Sequence, residues 1–258
     1  MRKYWEFFLQ NLNTDLIYRA KFVLSFATHF IVPFTMICIF ISLPGNKFAG
    51  MTKDQLISYY VFSSFLLLLL DPRIDDSVKT SIQHGDFGRY LIKPIKYWAL
   101  AVIEDLSHKI IRLVMGMPVL LILVLVSGTS AVYFEWSKIG LFTLEIFLSF
   151  ALAASLGFAF GLLTFWVEEL WGLQHLKNTM IALLAGIMLP YQFFPTAMVS
   201  FLKYTPFPYL VVWPLRSGFS GSIMLEIFIA VMWTGIFLIA GRILWIKGLR
   251  SYSALGLY

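Results

Sequence analysis

The chain has 258 residues, of which 59% are hydrophobic and only 13% charged, against about 25% charged in soluble proteins. Its apolar residues gather in runs of roughly 20, the length that crosses a bilayer, so an ordinary soluble domain is excluded and a polytopic membrane protein is indicated. The net charge of +6 follows from Lys and Arg retained on the cytoplasmic face of a membrane, and no basic domain stands apart from the apolar runs to bind nucleic acid.

Residues 4–20 are too polar to span. Trp5, Phe8, Leu9, Leu12 and Leu16 recur at helical spacing, while Glu6, Gln10, Asn13 and Asp15 tend to the other side. This pattern predicts an amphipathic helix lying in the membrane interface, and it leaves no room for a cleavable secretion signal ahead of the first apolar run. Span one is expected at 22–43, interrupted by His29 and kinked at Pro33. A neighbouring helix can satisfy the backbone freed by such a kink, and His29 reads either as a packing contact or as a pathway residue. The single cysteine, Cys38, lies in this run, so an intramolecular disulfide is excluded.

A short outer loop leads to span two at 56–70, which is short for a bilayer, so it is expected to start earlier or to be inset among its neighbours; Tyr59 and Tyr60 are its expected interface anchors. Residues 71–109 form the longest polar interruption, with Arg73, Lys79, Arg89, Lys93, Lys96 and Lys109, and the cost of moving such charges across lipid places it on the cytoplasmic side. Span three is expected at 110–127, with Gly116 and Pro118 at a bend, and span four at 139–166. Within span four Ser149, Ala153, Gly157 and Gly161 repeat every fourth residue on one face. Small side chains at that spacing let another helix approach closely, within the chain or from another subunit.

Glu168 and Glu169 open an inner loop before span five at 174–190. In 191–222 the prolines Pro195, Pro206, Pro208 and Pro214 break an apolar stretch into pieces too short to cross, which predicts a re-entrant outer hairpin with Tyr209 and Trp213 at headgroup depth. Span six is expected at 223–246. The outer segments hold only Lys47, Lys53, Lys138, Lys203 and Arg216, with the other basic residues on the inner side, so an even count of six spans with both termini cytoplasmic follows. The fold expected is an all-α integral membrane protein with one transmembrane domain over 1–258.

Catalytic chemistry is sparse. No G-x-x-x-x-G-K-[ST] phosphate loop and no H-E-x-x-H pair occur, so ATP hydrolysis and zinc chemistry by this chain are excluded. Glu145 and Glu226 fall within spans four and six, where an acid either pairs with a base such as Lys138 or Arg216 or receives a cationic substrate. No acids or broken helices mark the midplane, as ion-coupled carriers require, so energy must arrive from another subunit. Two alternatives remain: an ion-coupled secondary transporter, and a membrane enzyme acting on lipid-linked substrates through Glu168, Glu169 and His175.

The polar stretch carries a further signal. G-D-F-G-R-Y-L-I-K-P-I at 85–95, including Lys93 and Pro94, resembles the signature of the type-2 ABC exporter permeases, in the branch with six spans and a separate ATPase chain. F-W-V-E-E-L-W-G-L at 165–173 is similar to that branch's motif between spans four and five. F-F-P at 193–195, P-F-P-Y at 206–209 with Pro214 and Gly221, and R-S-Y-S-A-L-G at 250–256 resemble its outer hairpin and tail. The resemblance implies an alternating-access exporter in the bacterial cytoplasmic membrane, with two ABC ATPase subunits that hold ATP and Mg, and a second permease, identical or paralogous. This chain would bind no cofactor itself. The interface helix with Trp5 and Glu6, and a coupling helix near Ser77, Ser81, His84, Gly85, Asp86, Phe87, Gly88 and Arg89, would dock on the ATPases. By the same resemblance Phe26, His29, Phe30, Phe34, Phe62, Phe65, Met180, Leu184 and Met188 would line the path. Their aromatic and aliphatic character implies a hydrophobic or amphipathic substrate, lipid-like, drug-like or a glycolipid.

Overall fold

The computed structural model describes residues 2–17, 19–84, 88, 96–127, 139–167, 169–215 and 222–251, with side chains at all of them except 2, 15–17, 19–29, 123, 124, 126 and 127. Most of these residues are helical, and one small hairpin is the only strand pairing among them. Helix α1 (Arg2–Ile17) packs along α5 (Tyr97–Ser127), and Trp5 stacks on Phe8 at 5.4 Å while remaining exposed. Helix α2 (Arg19–Ser42) runs without a break through Pro33 and packs on α3 (Lys53–Leu70).

The loop between α2 and α3 is more ordered than a plain outer loop. Strands β1 (Lys47–Phe48) and β2 (Met51–Thr52) pair antiparallel in the register Lys47 with Thr52 and Phe48 with Met51. Thr52 and Gln55 then form a reciprocal capping box, each side chain satisfying a backbone N–H at the start of α3. Lys53 Nζ donates to the carbonyls of Leu43 at 2.6 Å and Ile41 at 3.3 Å, where the negative end of the α2 dipole favours a cation. The capping box lengthens α3 by a turn beyond the expected start at 56. The helix is buried on nearly every side, the mark of a central element in a bundle.

Asp71 and Pro72 end α3, and α4 (Ile74–Gln83) follows at once. Its buried residues Ile74, Val78 and Ile82 recur every fourth position, giving one apolar face. Helix α5 starts at Tyr97, so 97–109 belongs to a continuous helix and not to the polar connection expected there. The physical reason is local: Lys109 Nζ donates to Asp105 Oδ2 at 2.6 Å, one turn away, so charges that read as an interruption neutralise each other inside the helix.

Helix α6 (Ile139–Gly161) tightens into a 3-10 turn at Leu162–Phe165. Helix α7 (Trp171–Leu184) ends at Leu184, short of the expected 190. The chain turns there through Gly186, whose φ of +82° lies in the left-handed region that favours glycine. Residues 191–215 form short helical pieces, including α8 (Thr196–Leu202), and the four prolines stand at or beside their starts. Helix α9 (Ile223–Ser251) completes the described chain. On α9, Gly241 faces Ala159 and Gly248 faces Phe165, so α6 and α9 run side by side in the same direction.

Three helical stretches among the described residues are long and apolar enough to cross a bilayer: Lys53–Gln83, Ile139–Phe165 and Ile223–Ser251. Phe30–Ser42 is a shorter apolar helix. The main core lies between α3, α6 and the 185–215 segment, with Tyr60, Leu66, Leu152, Tyr191, Leu210 and Trp213 at its centre. A second cluster joins α4 to α5 and α6 through Ile74, Val78, Tyr97, Ala101 and Leu162.

Candidate coupling site

The site is built on α4 and on the surface that receives it. A Cβ added at Gly157 would collide with Ile74, and one at Gly161 would lie 2.7 Å from Val78 Cβ and 3.0 Å from Asp75 Cα. The small-residue stripe of α6 therefore serves a contact within the chain, with α4 seated on its two glycines. Ser149 and Ala153, further along the stripe, are fully buried, and Ala153 belongs to the main core.

The other sides of α4 are held by charge. Asp71 Oδ2 accepts from Arg112 Nη1 of α5 at 3.0 Å and pairs with Arg73 Nε at 2.7 Å. Asp75, only 1% exposed, accepts from Lys177 Nζ at 2.6 Å through Oδ1 and from Gln174 Nε2 at 2.9 Å through Oδ2. The same Gln174 nitrogen donates to Asp76 Oδ1 at 2.9 Å, and Gln174 Oε1 accepts from Lys79 Nζ at 3.2 Å. Lys177 also donates to the Pro72 carbonyl at 3.0 Å, and its ammonium lies 5.3 Å from the centre of the Phe160 ring. Both oxygens of Asp75 and two of the three Lys177 N–H groups thus have hydrogen-bond partners, and such partners offset part of the cost of burying two charges.

This arrangement changes the meaning of the polar stretch. Asp71, Asp75, Asp105, Lys109, Arg112 and Lys177 are buried: Asp71–Arg112 and Asp75–Lys177 tie α4 and its approach to α5 and α7, and Asp105–Lys109 pairs within α5, so much of the charge is turned inward. Asp76, Thr80 and His84 are exposed and Ser77 and Ser81 are half-buried, with His84 capping the end of α4. Gly88 is half-buried and has open space beside it. Gly85, Asp86, Phe87, Arg89, Lys93 and Pro94 lie outside the described residues. On α1, Trp5 and Glu6 are exposed.

The path residues expected from the resemblance fall in different surroundings. Phe30 packs with Leu68 and Leu120, and Phe65 lies beside both that cluster and the main core. Phe34 and Met180 are exposed, and Phe62 is half-buried. Leu184 packs against the main core, and the Met188 carbonyl accepts from Tyr60 Oη at 3.0 Å. The side chains of Phe26 and His29 lie outside the described residues.

Several aromatic residues expected at the membrane interface are buried among other side chains. Tyr59 Oη donates to the Gly186 carbonyl at 2.7 Å, so Tyr59 and Tyr60 hold the turn after α7. Trp213, 1% exposed, meets Tyr209 edge-on at 5.1 Å and donates through Nε1 to Glu226 Oε2 at 3.0 Å. Each polar tip has found a partner within the fold, which removes the need for water at the headgroups. Glu226 therefore takes an indole N–H, and Lys138 and Arg216 lie outside the described residues. Glu145 is also buried. Glu169 is exposed, His175 stacks on Trp171 at 5.5 Å, and Glu168 lies outside the described residues.

Sequence reasoning missed Gln174 and Lys177 as partners of Asp75. The available signal was a pair of polar residues three apart at the head of an apolar helix, facing a helix whose apolar stripe contains one carboxylate. A family model described as ABC-2 family transporter protein matches residues 26–256 of the chain. No curated protein matches it.

Proposed function

The chain belongs to the ABC-2 family of transporter proteins, and from that premise we propose that it is the permease subunit of an ATP-driven exporter whose fuel is burned by a separate chain. Membership makes it a membrane component of an ABC transporter that works with an ABC ATPase. The finer reading has six spans, both termini cytoplasmic, two ATPase subunits holding ATP and Mg, and a second permease, identical or paralogous. Its setting is the bacterial cytoplasmic membrane, and its cargo is hydrophobic or amphipathic.

The observation that carries this reading is the position of α4. It is seated on Gly157 and Gly161, stapled by Asp71 and Asp75, and ends at exposed His84, beside the segment 85–95 that carries the signature. A rigidly held helix leading into such a segment is a place where a soluble partner can push. The test is reconstitution of the chain with its ATPase in liposomes containing a fluorescent phospholipid as probe. Probe movement that requires ATP and both chains is the expected result. Movement by this chain alone, or gentle extraction of the chain with no ATP-hydrolysing partner, overturns the reading.

A further inference from the structure

Helix α7 meets the rest of the chain along a narrow stripe. Of residues 171–184 only Gln174, Lys177 and Ile181 are buried, while Trp171, Leu176, Met180 and Leu183 are exposed. The two ends of that stripe differ in kind. Near Leu184 the contact is apolar, with Ile181 in the main core and the following turn fastened by Tyr59. At the other end it is polar and directed at α4 and its approach: Lys177 to Asp75 and Pro72, and Gln174 to Asp75, Asp76 and Lys79.

We propose that Asp75, Gln174 and Lys177 form a latch that makes α4 and the adjoining end of α7 move as one body, so that a displacement of α4 is delivered to α7. They are positioning residues, and the inference rests on the reading that a partner ATPase acts through α4. Parting α4 from α7 would leave an ammonium and a carboxylate buried without each other, which is far costlier than sliding apolar surfaces past one another. The latch therefore stays shut when α4 is pushed, and α7 pivots about its apolar end. The exposed face of α7 carries that movement to whatever lies beside it.

The experiment uses the complex of this chain with its ATPase in lipid nanodiscs, with exposed Cys38 replaced by Ser. Spin labels are placed at T80C on α4 and L176C on α7, both exposed positions. The distance between labels is measured without nucleotide and after trapping with ATP and vanadate. In the otherwise native chain the distance is expected to stay the same in both states. In Asp75→Asn/Lys177→Met, which removes both charges together, trapping should change the distance, and the chain's stimulation of ATP hydrolysis should be lost. A distance that shifts on trapping in the native chain overturns the latch, and that measurement decides even if the double variant fails to fold. Equal stimulation by native and double-variant chains, with equal distances, overturns it too. A native chain that neither binds nor stimulates an ATPase defeats the parent reading, and the latch with it.

Discussion

The two ends of α3 are held in opposite ways. Near its start, Tyr59 and Tyr60 donate neutral hydroxyl bonds to the carbonyls of Gly186 and Met188, packed among Tyr191, Tyr209 and Trp213. Beyond its end, Asp71 and Asp75 draw Arg112 and Lys177 inward from two other helices. Losing one partner of a hydroxyl bond leaves a neutral carbonyl unsatisfied, a smaller penalty than for a charged group. Breaking an ion pair out of water costs more, since the survivor keeps its charge. One end is thus held by close packing and neutral bonds, and the other by a set of charge-specific ties.

Breaking one of those ties should have the largest effect. Lys177→Met leaves Asp75 charged and buried, and is expected to cost about 3–5 kcal/mol. The change in thermal unfolding in detergent measures it, and adding Asp75→Asn should recover most of the loss. Next comes the seat of α4. Gly161→Leu forces a side chain into space already taken by Val78 and Asp75, with an expected cost of about 1–3 kcal/mol and weaker co-purification of the ATPase. If stability is unchanged, α4 is not held by that seat. The smallest effect belongs to the aromatic end. Tyr59→Phe keeps the ring and removes one hydrogen bond, for about 1 kcal/mol. A loss as large as that from Lys177→Met would erase the distinction between the two ends.

Local chemistry was legible in particular stretches. The T-x-x-Q at Thr52 to Gln55 caps α3 as such a pattern does, and it supplies the start before 56 that the shortness of the apolar run called for. The prolines of 195–214 break that stretch into the short pieces observed. The helix that carries the span expected from 110 begins earlier, at Tyr97, because Asp105 and Lys109 read as exposed charge when taken singly, and as a neutral pair only once the helix winds them together. That Tyr209 and Trp213 are buried within the protein was not legible for a related reason. An amphipathic ring serves equally well at a headgroup or against a buried acceptor, and composition does not distinguish the two.

By itself the sequence determined that this chain is a helical membrane protein, where the middle of each helix lies, and that one stretch carries more charge than lipid allows. Those properties reside in neighbouring residues: a run of apolar side chains, a proline, a capping pair. Only the tertiary structure decided where the charge goes. Asp75 meets Lys177 across 102 residues, and the glycines of α6 receive α4 instead of another subunit's helix. Such partnerships depend on which faces the packed helices turn toward one another, and that geometry is set by the whole bundle at once.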